Sequence, residues 1–224
     1  MFDLDGTLVD TAADIHAVLA DVLGETGHPV PDLPAVRSMI GDGARVLIER
    51  AVSHVAAADL DDLHRRFTLR YAEVPCRHSR LYPGAATVLA ELCAKDARLG
   101  LCTNKPQAAT IGLLDALGLG DSFHAVIGGD ALGGVRKPDP GHLAAVLDAL
   151  SVPPGRSVMV GDSRNDLLAA RGLGVPCVLV SFGYTATPAR KLGADAVIDE
   201  LRELPALVAR MALAISGPSV AAEA

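Results

Sequence analysis

From about Leu99 to Ile198 the chain alternates short apolar runs with stretches of helical periodicity, and this pattern narrows its possible folds more than any other feature. Leu99-Gly100-Leu101-Cys102, Ala125-Val126-Ile127, Ser157-Val158-Met159-Val160, Val178-Leu179-Val180 and Ala196-Val197-Ile198 read as strands. Between them, Ala108–Leu117, Pro140–Leu150 and Leu167–Leu173 read as helices; Asp139-Pro140 supplies a cap and a first turn, and Gly118 and Gly174 supply stops. Strands that alternate with helices require a parallel sheet covered on both faces, and right-handed crossovers make it doubly wound. The predicted fold class is therefore α/β, a doubly wound, Rossmann-like parallel sheet. Aromatic residues are only 3% of the chain and Trp is absent, so Leu, Val, Ile and Ala must build the core.

Residues 11–79 carry no strand pattern. Ile15, Val18, Leu19, Val22 and Leu23 keep helical spacing, as do Leu47, Ile48, Ala51, Val52 and Val55, and then Leu60, Leu63, Phe67 and Tyr71. This is the pattern of a helical cap inserted after the first strand, with Leu81-Tyr82-Pro83-Gly84 marking the return. The expected division is a core of 1–10 and 80–213, a cap of 11–79, and a disordered tail of 214–224.

In a parallel α/β sheet, ligands bind beyond the carboxyl ends of the strands. Asp3, Thr103 and Asp162 each follow an apolar strand-like run, and Lys137 precedes a capped helix. In Asp3-Leu4-Asp5-Gly6-Thr7 the two carboxylates alternate with Phe2 and Leu4, which reads as a strand end running into a turn. Asp-Gly is also a common surface turn. Buried carboxylates call for a cation, and oxygen ligands of this kind suit Mg²⁺. Asp166 equally suits a capping box with Ser163, Thr103 a plain strand-end hydroxyl, Asn104 a turn into Pro106, and Lys137 a solvated surface position.

Taken together and in order, Asp3-x-Asp5-Gly6-Thr7, Thr103-Asn104, Lys137-Pro138 and Gly161-Asp162-Ser163-Arg164-Asn165-Asp166 resemble the haloacid dehalogenase-like hydrolase superfamily over nearly the whole chain. The wording of Thr103-Asn104-Lys105-Pro106, Ile127-Gly128-Gly129-Asp130 and the last two motifs is similar to that of bacterial phosphoglycolate phosphatases. The resemblance implies that Asp3 is a nucleophile forming an aspartyl-phosphate and that Asp5 is the general acid and base. It implies Mg²⁺ held by Asp3, the Asp5 carbonyl and Asp162, with Asp166 behind them. Thr103, the Asn104 N–H and Lys137 would bind the phosphoryl oxygens. Asp5 favours phosphate-ester cleavage over halide displacement, because an alkoxide needs a proton and a halide does not. Gly41-Asp42-Gly43, between two cap helices, is a candidate specificity turn or a plain helix-to-helix turn. Arg45 and Lys105 are candidates for a substrate carboxylate or ordinary surface cations. The implied reaction is hydrolysis of 2-phosphoglycolate to glycolate and phosphate. A phosphosugar phosphatase or mutase shares these motifs. A phospho-receiver shares the α/β layers, but the helical insert and Asp5 argue against it.

Net charge is −7 and no basic stripe occurs, which argues against nucleic acid as a partner. A small phosphorylated metabolite is expected instead, with the chain a monomer or homodimer. The four Cys lack metal-ligand spacing, no apolar run reaches membrane-spanning length, and the first motif starts too early for a signal peptide; a cytoplasmic, membrane-free protein is expected. One feature departs from the family pattern. Only Met1-Phe2 precede Asp3, against about five or six residues in a typical strand. Such a stub is expected to leave neighbouring backbone groups unpaired and to bring the α-amino group near the site, and a misplaced gene start would account for it.

Overall fold

The structure, a computed structural model, describes residues 1–55, 58–74 and 76–216. After the amino-terminal segment Met1–Asp3, β1 (Val9–Asp10) leads into α1 (Ala12–Glu25), α2 (Leu33–Met39), α3 (Ala44–Ala51) and α4 (Leu60–Glu73). The chain returns through β2 (Arg80–Leu81) to α5 (Ala85–Ala94), β3 (Gly100–Cys102), α6 (Gln107–Ala116), β4 (Ala125–Ile127) and α7 (Pro140–Leu150). It ends with β5 (Met159–Gly161), α8 (Arg164–Gly172), β6 (Cys177–Val180), β7 (Ala196–Ile198) and α9 (Leu204–Ser216). The tail expected from residue 214 lies outside the described residues from 217 onward; its first positions belong to α9.

The core sheet is parallel. β3 pairs with β4, and β5, β6 and β7 pair in that order. The amino-terminal segment joins the two groups, since Phe2 bridges Leu101 on one side and Val160 on the other. Its backbone is not left unpaired, contrary to the expectation for so short a start. Phe2 N–H donates to Gly100 O at 2.8 Å and Cys102 N–H to Phe2 O at 2.8 Å. Asp3 N–H donates to Val160 O and Val160 N–H to Met1 O, both at 2.9 Å. The slanted bonds of a parallel ladder let two residues reach both neighbours. The α-amino group donates to Val158 O at 2.8 Å, at the end of this segment away from the Asp3 carboxylate.

Side-chain alternation divides the core in two. Phe2, Leu101, Val160, Val178 and Val180 face α5, α6 and α9. Met1, Cys102, Met159, Cys177 and Leu179 face α7 and α8. Both faces are buried, as a parallel sheet requires. A third cluster, Ile15, Leu19, Leu23, Ile48, Leu63 and Phe67 among others, forms the interior of the cap and includes Ala109 of α6, where cap meets core.

The two passages between core and cap are tied together. β1 and β2 pair antiparallel, Val9 opposite Leu81. One turn into α1, the buried Asp14 carboxylate accepts from the N–H groups of Arg77, His78 and Ser79 and from the Ser79 hydroxyl. Those bonds hold the carboxyl below its ordinary value, although burial opposes them. Helix α2 has no counterpart in the sequence reading, because only Val36 of its seven residues is buried and no apolar stripe marks it. Its local signal is the Asp32 cap, which accepts from Ala35 N–H, followed by Pro34 in the first turn.

Candidate active site

Asp3 ends the amino-terminal segment at the carboxyl edge of the sheet. Leu4 is buried with no exposed surface, and Gly6, at φ +80°, turns the chain so that Asp5 returns to the same rim. The turn must hold Gly for a second reason: a Cβ there would overlap the Asp162 carboxyl and touch Tyr184. Asp162 follows β5. One carboxylate oxygen from each of Asp3, Asp162 and Asp166 lies within 4.8 Å of the others, and all three residues are buried.

Lys137 anchors this acidic cluster. Its Nζ lies 2.8 Å from Asp3 Oδ1 and 2.7 Å from Asp166 Oδ1. The Asp166 contact is a well-formed hydrogen bond, whereas the Asp3 contact is an ion pair off hydrogen-bond alignment, so Asp3 Oδ1 has no hydrogen-bond donor among the described residues. Burial alone would pull the Lys137 ammonium down, but Asp166 and Asp3 outweigh it and hold the group above its ordinary value. Burial raises Asp3 to about 6; Lys137 opposes that rise, and Asp166 and Asp5 add to it. Burial, then the charges of Asp166 and Asp3, push Asp162 well up.

The cluster is short of positive charge. Three buried carboxylates share one ammonium, so a divalent cation would restore neutrality. The donor set is all oxygen, which suits a hard ion, and Asp3 Oδ1, buried and met only by the off-aligned Lys137 contact, keeps acceptor capacity for it. The residues therefore fit a divalent metal. Asp166 is already committed: Oδ2 accepts from Asp162 N–H at 3.2 Å, Ser163 N–H at 3.0 Å and Ser163 Oγ at 2.8 Å. It closes the capping box and holds Lys137 at once.

The other sequence-derived candidates fall into two groups. Thr103 is buried at the end of β3, and its Oγ1 accepts from Lys105 N–H at 3.3 Å. Asn104 Nδ2 donates to Lys137 O at 2.8 Å and to Gly41 O of the cap at 2.9 Å. Lys105 is buried; its Nζ lies 3.2 Å from Asp5 Oδ1, which also accepts from Thr11 Oγ1 at 2.8 Å. Gly41 and Asp42 also meet the core through Asn165, whose Nδ2 donates to Gly41 O at 3.2 Å and Asp42 Oδ1 at 2.6 Å. Gly43, at φ +93°, opens α3, while Arg50 ion-pairs with Asp42. Arg45 sits apart on the exposed side of α3, where it bonds Asp61 at 2.7 Å and Glu49 at 3.2 Å.

Sequence reasoning missed several supporting residues. Buried His142 accepts from Lys137 N–H through Nδ1 at 3.2 Å, and its Nε2 lies 3.2 Å from Ile127 O. Tyr184 N–H donates to Asp162 Oδ2 at 2.6 Å, while its hydroxyl donates to Asp10 at 2.7 Å and accepts from Thr11 N–H at 2.6 Å. Tyr71 of α4 reaches Lys105. Asp139-Pro140 predicts the helix that carries His142, but nothing local marks these polar partners, which come from separate elements.

The chain as a whole is similar to proteins already described. A family model described as haloacid dehalogenase-like hydrolase matches residues 1–180. Phosphoglycolate phosphatase of Caulobacter vibrioides is 45% identical over 209 residues, spanning 91% of this chain and 87% of its own. The phosphoglycolate phosphatase of Rhodospirillum rubrum is 41% identical over 212 residues, with 91% and 88% covered. Among solved structures, a predicted phosphoglycolate phosphatase from Haemophilus somnus superposes with TM-score 0.86 at 30% identity, covering 92% of this chain and 95% of that one. CbbY from Rhodobacter sphaeroides, solved with phosphate, gives 0.79 at 29% identity and covers 91% and 94%; a mutant of it was solved with xylulose-(1,5)bisphosphate.

Proposed function

The chain belongs to the haloacid dehalogenase-like hydrolase family, and from that membership we propose a Mg²⁺-dependent phosphomonoesterase that hydrolyses 2-phosphoglycolate to glycolate and phosphate. The observation that carries this reading is the convergence of the Asp3, Asp162 and Asp166 carboxylates, with Lys137 paired to Asp3 and Asp166 and with Asp5 and Thr103 on the same rim.

Asp3 attacks phosphorus through a carboxylate oxygen. The new P–O bond forms as the ester P–O bond breaks, and Asp5 hands its proton to the departing glycolate oxygen. Water then attacks the same phosphorus, Asp5 takes the proton back, and the acyl-phosphate bond breaks to release phosphate and restore Asp3. Thr103 Oγ1, the Asn104 N–H and the Lys137 ammonium hold the phosphoryl oxygens where charge develops. Asp3, the Asp5 carbonyl and Asp162 would hold Mg²⁺, which supplies charge neutralisation between an anionic nucleophile and an anionic ester. Asp166 keeps Lys137 aimed. The cap, seated on Asn104 and Asn165 through Gly41 and Asp42, closes the site against bulk water.

The names of the relatives support 2-phosphoglycolate, and the bisphosphate complex of the CbbY mutant supports a phosphosugar as the second reading. A panel of small phosphate esters assayed with Mg²⁺ and with EDTA tests both. The highest kcat/KM is expected for 2-phosphoglycolate. A phosphosugar turned over at higher kcat/KM would transfer the assignment to the second reading, and no Mg²⁺-dependent release from any ester would end both.

In the described residues no helix is long and apolar enough to cross a membrane. We place the enzyme in the cytoplasm, acting on a small metabolite as a monomer or homodimer.

A further inference from the structure

A cavity of about 40 Å³ between cap and core opens beside Asp3 and Asp5. Its wall is largely apolar, with Ile15, Ile40, Leu47 and Phe67 contributing. Among the described residues lining it, Lys105 is the one cation. A leaving group with an anionic end therefore has one positive partner to meet there.

Lys105 comes from the core, immediately after β3, but its ammonium is positioned from the cap. The Tyr71 hydroxyl of α4 is hydrogen-bonded to Nζ, and Nζ lies 4.0 Å from the Tyr71 ring centroid. Tyr71 is fixed in turn by Phe67, one helical turn earlier, with ring centroids 5.4 Å apart. On its other side Nζ is 3.2 Å from Asp5 Oδ1. In the proposed reaction the ester oxygen must sit against Asp5. A carboxylate one carbon beyond that oxygen then falls within reach of the ammonium. The other cation candidate, Arg45, is bound to Asp61 and Glu49 on the exposed side of α3.

We propose that Tyr71 and Lys105 form the carboxylate receptor of this enzyme. Lys105 binds the anionic end of the leaving group, and Tyr71 is the positioning residue through which the cap sets that ammonium in place. The substrate class is a short phosphate ester with a carboxylate one carbon from the ester oxygen; this deepens the phosphomonoesterase reading and rests on it. Because Tyr71 belongs to the cap, the receptor is complete only while the cap is closed.

The test compares 2-phosphoglycolate with ethyl phosphate, which has the same chain length and a methyl group in place of the carboxylate. The quantity read is the ratio of their kcat/KM values. Lys105→Met is expected to lower that ratio about tenfold to hundredfold, the range of one charge-assisted hydrogen bond. Tyr71→Phe keeps the ring and is expected to lower it about threefold to tenfold, chiefly through KM for 2-phosphoglycolate. A loss of packing or of general chemistry would lower both esters together and leave the ratio unchanged, and that result in Lys105→Met overturns the proposal. An unchanged ratio in Tyr71→Phe overturns the part assigned to Tyr71. The same comparison, read as Kd in an Asp3→Asn background, holds if turnover is too slow to measure. A wild-type enzyme that cleaves both esters equally overturns the receptor while leaving the phosphatase reading in place; one that cleaves neither with Mg²⁺ overturns the receptor and the 2-phosphoglycolate reading together.

Discussion

Asp3 is a buried carboxylate whose Oδ1 faces one ammonium and meets no aligned hydrogen-bond donor among the described residues. A group in that state is costly to keep unless its charge is used. Asp3→Asn keeps the shape and removes the nucleophilic charge. Turnover is expected to fall below about 1% of wild type while substrate still binds, because phosphoryl transfer needs the carboxylate and binding does not; phosphate release and a binding titration on the same variant check it. Lys137 depends on a second residue, His142, whose ring accepts its backbone N–H. Burial, and then the Lys137 charge, lower that imidazole from 6.5 to about 4. The unfolded ring takes a proton near 6.5 and the folded ring only near 4, so between these values the unfolded state binds more protons. The stability from His142 is present above pH 6.5 and is lost as pH falls toward 4. Urea midpoints measured across that interval should show a shallower acid slope in His142→Gln than in wild type. Asp3, displaced upward, contributes the opposite slope in both proteins and cancels in the comparison.

At the scale of the element, the sequence marks a helix or strand where an apolar stripe or alternation exists and misses a helix that buries a single side chain; α5 and α9, though apolar, also have no counterpart in the sequence reading. The strands β3, β5 and β6 stand out because both faces are buried, and β4 and β7 because apolar, partly buried residues pack on both faces; α2 does not, because Val36 alone anchors it. The join between strand and site imposes a tighter rule. Gly161, the last residue of β5, has the Asp166 carboxyl against its α-carbon, and an added Cβ would overlap it. Gly161→Ala must push Asp166 away, and Asp166 holds both the α8 cap and Lys137. We expect a loss of about 1–3 kcal/mol in unfolding free energy, the usual cost of overpacking a close contact, together with a fall in kcat larger than the change in KM. Denaturant unfolding and steady-state kinetics on the one variant read both effects.

The whole molecule places an acidic cluster at the rim of a sheet assembled around its own amino-terminal segment, in a chain of net charge −7. An ion that binds the folded cluster and not the unfolded chain stabilises by mass action, about 2.7 kcal/mol at a hundredfold excess over Kd. EDTA-treated protein is therefore expected to lose activity and to gain in Tm when Mg²⁺ is added; in Asp162→Ala the gain in Tm should vanish. The sequence by itself determined the alternation of strand and helix, the helical insert, and the positions of Asp3, Thr103 and Asp162 just past apolar runs, because those features are local and periodic. Tertiary structure alone decided which distant polar atoms meet: His142 with Lys137, Tyr184 with Asp162, Asn165 with the cap turn, and Tyr71 with Lys105. It also decided that a two-residue start still pairs on both edges. The physical reason is common to these cases: a hydrogen bond or ion pair between separate elements depends on how the layers stack, and no spacing along the chain encodes that distance.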